Sequence, residues 1–351
     1  MTAKTRYFLF GSVLILTVGL SIGLVAFYGG MAGSLFAGQQ SLAELKYVPA
    51  DAAVVAYANV REVMNSQMRQ RLRQVDGMTD QGRSEFKDQT GIDIEQDIDH
   101  VVAFMGAKGS TGNRSGLVVA TGRFDQGRLE ALAIEHGAKV EQYKGKKLVS
   151  ALADKAHPGD TAHPAGTAPE ASMAVAFLGP NLVAMGGIDM VRQSIDRAGG
   201  STSVQGNADL MKLVGEMNDA SVWAVGNFDV FRAEVKLPSE VSDRIPSITW
   251  FSASGHVNGG MQATVKAETK DKEAADNLRD IIRGFTALAR MQTGSNPELQ
   301  KLMPDIQLGG DGSKIVSVSF ALTTEMLDAI VAARGAAGAI KKSQPKPTAK
   351  Q

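Results

Sequence analysis

The chain has 351 residues, no cysteine, and 37 lysines plus arginines against 37 aspartates plus glutamates. Without thiols it has no disulfide framework, no thiolate zinc site and no cysteine nucleophile. The even charge balance argues against nucleic acid as a partner, because phosphate contacts need a concentrated basic surface.

The first feature along the chain is an uninterrupted apolar run at residues 7–28, with Lys4 and Arg6 before it and no charged side chain until Glu44. At about 1.5 Å of rise per residue, a helix of this length matches the roughly 30 Å hydrocarbon core of a bilayer and closes its own backbone hydrogen bonds there. The sequence therefore predicts a cytoplasmic N-terminus at 1–6, a transmembrane helix at 7–28 embedded in the lipid bilayer, and a linker at 29–51. The positive flank sends the rest of the chain, about 310 residues, out of the cytoplasm, which means the periplasm where a second membrane is present. A cleaved signal peptide is the competing reading, but its apolar region is typically about 7 to 15 residues. Leu35 also fits poorly at the recognition position for cleavage before Gln39. Gly19 and Gly23 form a GxxxG step within the run, a spacing that lets two membrane helices approach closely.

So large a remainder predicts one large domain or two similar ones. Residues 52–58 read as a short apolar strand. Asn59 and Glu62 form a capping pair for a helix with Val60, Val63, Met64, Met68 and Leu72 on one stripe and Arg61, Arg69, Arg71 and Arg73 mostly outside. Strands at 100–105 and 116–122 flank a loop, Asp125 caps a helix to about 135, and 140–143 with 147–151 make a hairpin around Lys144-Gly145. Residues 154–172 are rich in Ala, Pro, Gly and Thr and read as a flexible surface insertion. A hairpin at 173–178 and 182–187 and a helix at 189–198 follow.

Segments at 210–217 and 222–225 lead into the second half, where 248–257 and 261–269 flank the strong hairpin signal Asn258-Gly259. Asp271 starts a long helix to about 291, strands at 306–308 and 315–322 come next, and Thr323 or Thr324 caps a closing helix to 331. Strand, strand, helix, strand, strand and eventually helix thus occur twice. The predicted fold class is α+β: an N-terminal transmembrane helix, then two similar units of antiparallel sheet covered by helices. This internal duplication would occupy 52–200 and 201–335, with a disordered basic tail at 336–351.

The chemistry-bearing residues are sparse. The histidines are His100, His136, His157, His163 and His256, and none stands four residues from another ligand on one helix face. His157 and His163 could share a metal only within the insertion, and His100 and His256 fall in predicted strands, where a hydrogen-bonded structural role is the simpler reading. Ser84 and Lys87 make an S-x-x-K, but the K-T-G and S-D-N partners of that signature are missing. The glycines of 106–116 lack the G-K-[ST] ending of a phosphate loop. Trp223 and Trp250 lie in predicted strands, and Met211, Met217, Met261 and Met291 suit either core filling or an adaptable apolar pocket. No catalytic, cofactor-binding or metal residue is predicted.

Val48-Pro49-Ala50-Asp51, Thr90-Gly91-Ile92-Asp93 ahead of Asp97-Ile98-Asp99-His100-Val101, Tyr143-Lys144-Gly145-Lys146 and the hairpin and helix at 174–198 resemble uncharacterised exported, membrane-anchored bacterial proteins over most of 48–335. That resemblance implies no assigned activity and no functional residues. The expected function is a binding or interaction module of the cell envelope, with another envelope protein or an apolar ligand as partner. The alternatives are an envelope hydrolase with an unrecognised active site, and a scaffold forming a homo-oligomer through Gly19 and Gly23.

Overall fold

A computed structural model of the protein describes residues 43–73, 84, 87–88, 91–108, 114–135, 137–151, 173–198, 202–217, 219–230, 245–257, 261–293, 305–310 and 312–326. Among these residues no helix is long and apolar enough to cross a membrane, and the transmembrane helix expected at 7–28 is not among the helices described. The run at 7–28 with Gly19 and Gly23, the insertion at 154–172 and the tail at 336–351 lie outside the described residues.

Among the described residues twelve strands build one antiparallel sheet: β1 (Val54–Ala58), β2 (Ile98–Lys108), β3 (Arg114–Gly122), β4 (Lys139–Tyr143), β5 (Lys146–Ala151), β6 (Met173–Gly179), β7 (Leu182–Gly187), β8 (Val222–Asn227), β9 (Ile248–Val257), β10 (Met261–Thr269), β11 (Asp305–Gly309) and β12 (Ile315–Leu322). Their order across the sheet is β11-β12-β10-β9-β8-β1-β2-β3-β7-β6-β5-β4. This corrects the prediction of two duplicated units, each a sheet under its own helices. The reason lies in β1, which pairs with β2 on one side and β8 on the other, Val54 standing opposite both Met105 and Gly226. The strand expected to open a first unit is instead the joint through which both halves hydrogen-bond.

All five β1 residues are buried, so both faces of the sheet are covered there. On one face, Val55 and Tyr57 join Val102, Phe104, Leu117, Val119, Trp223 and Val225 in the largest core. The 3-10 helix Ala43–Tyr47 and helices α5 (Ile188–Arg197) and α6 (Ala208–Gly215) close over it with Leu45, Val191, Ile195 and Leu210. On the other face, α1 (Val60–Asn65) and α3 (Ile94–Asp97) help cover Ala58, Val101, Ala103 and Val118, with Val60 and Ile94 packed against them, while α2 (Gln67–Arg73) lies against α1. Helix α4 (Gln126–Glu135) lies by β4 and β5. Helix α7 (Lys272–Thr293) seats Ala275 and Leu278 on Ile248 and Val316.

Cross-strand register carries the Val54 face outward through Gly226, Phe251, Ala267 and Val316, so α7 covers that face. The opposite face of β9, β10 and β12 bears Ser252, Ser254, Thr264, Lys266, Ser317 and Ser319 in cross-strand rows. This is the polar-out alternation of a sheet covered on one side. The β4–β5 hairpin turns through Lys144 at φ +46° and Gly145 at φ +76°, the paired positive values that a two-residue type I′ connection requires.

Candidate functional site

His100 enters from β2 on the face of the main core, and its Nε2 lies 2.8 Å from Oε1 of Glu44 in the 3-10 helix. The Thr121 hydroxyl of β3 donates to the same oxygen at 2.5 Å. Burial pushes the Glu44 carboxyl up, but the hydrogen bonds from His100 and Thr121 and the charge of His100 outweigh it and bring it down to about 2. Beside this group Tyr57 stacks on Trp223 at 5.7 Å between ring centroids and tilts against His100 at 5.9 Å. Burial, then the Glu62 and Glu44 carboxylates, push the Tyr57 phenol up to about 12.

Glu62 completes the polar rim. It accepts from Ser221 Oγ at 2.8 Å and from Asn59 Nδ2 at 3.0 Å, while Ser221 accepts from the Val257 amide at 3.0 Å. In this network the Thr121 hydroxyl is spent on Glu44 and not on His100. A nucleophile activated by a base needs the opposite order, hydroxyl on imidazole and imidazole on acid. What the geometry does is fasten the 3-10 helix across β2 and β3.

The remaining sequence candidates are dispersed. His256 is half-buried on the polar face opposite Gln262. Lys87 binds Asp93 at 2.8 Å, and that hydrogen bond raises its pKa, which is the wrong direction for a lysine that must deprotonate a serine. Ser84 is exposed. The predicted loop at 106–115 is shortened by strand, since Lys108 pairs with Arg114. Trp223 and Met217 are buried in the core and Trp250 and Met211 pack against it, while Met291 on α7 is 77% exposed. Arg61 pairs with Asp99, and Arg69 with Glu95 at 3.2 Å, so these two arginines of the α1–α2 face are paired within the fold. Among the described residues no three His, Cys, Asp or Glu side chains group to hold a metal; His136, His157 and His163 lie outside them.

Sequence reasoning placed the strands and helix at the C-terminal end of the sheet but missed the cleft between them. A cleft of about 440 Å³ runs between α7 and β11, lined by Ile282, Arg283, Thr286, Ala287 and Arg290 of the helix and by Ile306 and Leu308 of the strand. Arg279, 1% exposed, sets the position of the helix. Its Nη2 donates to the carbonyls of Ser313 at 3.0 Å and Ile315 at 3.1 Å, and to that of Gly310, while Nη1 binds Asp276. The β11–β12 connection is therefore tied to α7, and the cleft lies one turn farther along the helix.

No protein family matches the chain, and no curated protein does. Among solved structures, a crystal form of TP0453 aligns with a TM-score of 0.42 at 10% identity, covering 82% of this chain and 96% of that one.

Proposed function

We propose that the protein is an extracytoplasmic interaction module of the bacterial cell envelope whose partner docks at the α7–β11 end of the sheet. The observation that carries this reading is the cleft of about 440 Å³ beside β11, the edge strand among the described residues, with apolar side chains and two arginines in its lining. A few convergent polar groups around an apolar floor are what a recognition site needs. Export is supported by the apolar run behind Lys4 and Arg6. A partner confined to the same envelope layer is held at high effective concentration, so modest contact area suffices.

A photo-crosslinking residue placed at Ala287, compared with one at Gln193 on α5, tests the reading in living cells; both positions are exposed. Discrete adducts at position 287, absent at 193 and formed outside the cytoplasm, are the expected result. Adducts at neither position, or equally at both, would remove the α7–β11 end as the docking site.

A further inference from the structure

We infer that the face of β9, β10, β12 and β11 turned away from α7 is a second binding surface, which takes an extended, uncharged, β-linked polysaccharide. It goes beyond the docking of a partner at the cleft, which Ile306 and Leu308 line from the other side of the same strands.

Cross-strand register lays out one row over four strands, Ser254, Thr264, Ser319 and Gln307, and beside it a second, Ser252, Lys266 and Ser317. Neighbouring strands lie about 4.8 Å apart, so polar groups recur at that interval in a line across the sheet. The face is open to water: Gln262, Gln307 and Ala321 are exposed, and Ile315 is 41% exposed. The charged side chains of β10 on this face are spent inside the chain, Lys266 on Glu216 at 2.9 Å and Glu268 on Lys314 at 2.5 Å.

Ser252 points to a ligand independently of the rows. It is 3% exposed, yet its hydroxyl bonds to no other residue among those described. Buried hydroxyls normally have a partner, and one without it is a loss to the fold. Alternation along β9 turns Ser252 to the same side as Ser254, between Val225 of the core and Lys266 of the open face. Lys266 reaches over this position from β10 to Glu216 at the end of α6, through an ion pair whose side chains are 41% and 39% exposed. Such a pair is weak and gives way readily to a ligand. Half-buried Trp250, on the same face, offers a ring to the C–H side of a sugar.

The chemistry of the rows selects the occupant. An anion would need a cation, and Lys266 is already paired; a peptide would need pockets for its alternate side chains. Hydroxyls and carboxamides each donate and accept, which matches the hydroxyls of a sugar chain. A β-linked chain is a straight ribbon, so it can follow a row from strand to strand.

Titration calorimetry of the full chain with chitohexaose and cellohexaose, both neutral and β-linked, tests the inference, with α-linked, coiled maltohexaose as the control. At least one β-linked sugar should bind, maltohexaose at least about tenfold more weakly, and raising salt about tenfold should leave the affinity unchanged, since no charge is neutralised. Ser252→Ala should weaken binding by about tenfold with Tm unchanged or raised, because the hydroxyl it removes has no partner in the free chain. Ser319→Arg, which puts a long side chain in the middle of the first row, should weaken it at least as much. Ala287→Trp, which fills the cleft on the other side, should leave sugar binding unchanged and so separates this face from the docking site. No binding of either β-linked sugar, equal binding of maltohexaose, or undiminished binding by Ser252→Ala or Ser319→Arg would overturn the inference.

Discussion

Arg279 on α7 donates from Nη2 to the carbonyl oxygen of Ser313 at 3.0 Å, inside a packed boundary where the arginine is 1% exposed. The guanidinium suits this place because its planar fork reaches several carbonyls at once, which a lysine ammonium cannot reproduce. Gly310 shares the arrangement: its φ is +87°, and its carbonyl accepts from Arg279 and from Ser313 Oγ at 2.9 Å. Arg279→Lys should therefore cost about 1–2 kcal/mol, and Arg279→Ala about 3 kcal/mol or more, because carbonyls are left unpaired and a void opens. Urea denaturation measures the loss. Amide exchange places it, and should quicken over 305–309 and 315–322 before it does in β1. An Arg279→Ala protein as stable as the parent would show that the helix is held by its apolar contacts alone.

Glu44 makes stability depend on acid. Its carboxyl is pushed up by burial but held down at about 2, against an ordinary 4.5, by the hydrogen bonds from His100 and Thr121 and the His100 charge. A folded-state value below the unfolded one means that the contribution is complete above pH 4.5 and disappears as pH falls toward 2. It is on the order of 3 kcal/mol. Glu44→Gln should be less stable than the parent at neutral pH, and the two stabilities should converge in acid, followed by denaturation midpoints across that range. Parallel curves at every pH would mean that Glu44 does not hold the 3-10 helix down.

Some of this architecture was written locally. The predicted strands at 248–257 and 261–269 match β9 and β10, because alternation along each strand and a turn between them are short-range properties. Lys144-Gly145 likewise announced its own hairpin. The continuous sheet was not legible, because alternation tells which face a side chain takes but not which distant strand lies beside it. Nothing in Val54 says that Gly226 is its neighbour. The Glu44 cluster was hidden for the same reason: its two hydrogen bonds join residues 56 and 77 positions apart, and Glu44 fell in a segment read as linker.

Arg279 did leave a signal. It follows Leu278 and stands four residues after Ala275, within the stripe that continues to Ile282, and a charge within an apolar stripe marks either a break in the helix or a buried, hydrogen-bonded cation. The cleft had no such mark. Its lining comes from two elements, α7 and β11, joined by 294–304, and each alone reads as an ordinary amphipathic segment.

The joint between the two halves gives the sharpest test of a single sheet. Gly226 faces Val54 across the β1–β8 pair, and next to it the Asn227 amide donates to the Ala53 carbonyl at 2.7 Å. A Cβ at position 226 would fall on that carbonyl oxygen and lie 2.7 Å from the Val54 Cα, both backbone atoms that cannot swing aside. Gly226→Ala should thus cost about 2 kcal/mol or more by forcing the strands apart. Gly215→Ala, in α6 with nothing within 4 Å of the added methyl, should be neutral or stabilise by about 0.5–1 kcal/mol through helix propensity. The same chemical change is then expected to act differently at two glycines in adjacent elements of the chain, α6 and β8. Because β1 carries hydrogen bonds to both halves, the Gly226→Ala loss should appear as faster amide exchange in β2 and β3 as well as in β8 and β9, within one cooperative transition. Faster exchange confined to 222–269, with 98–122 unchanged, would mean that the halves unfold independently and that β1–β8 pairing does not couple them.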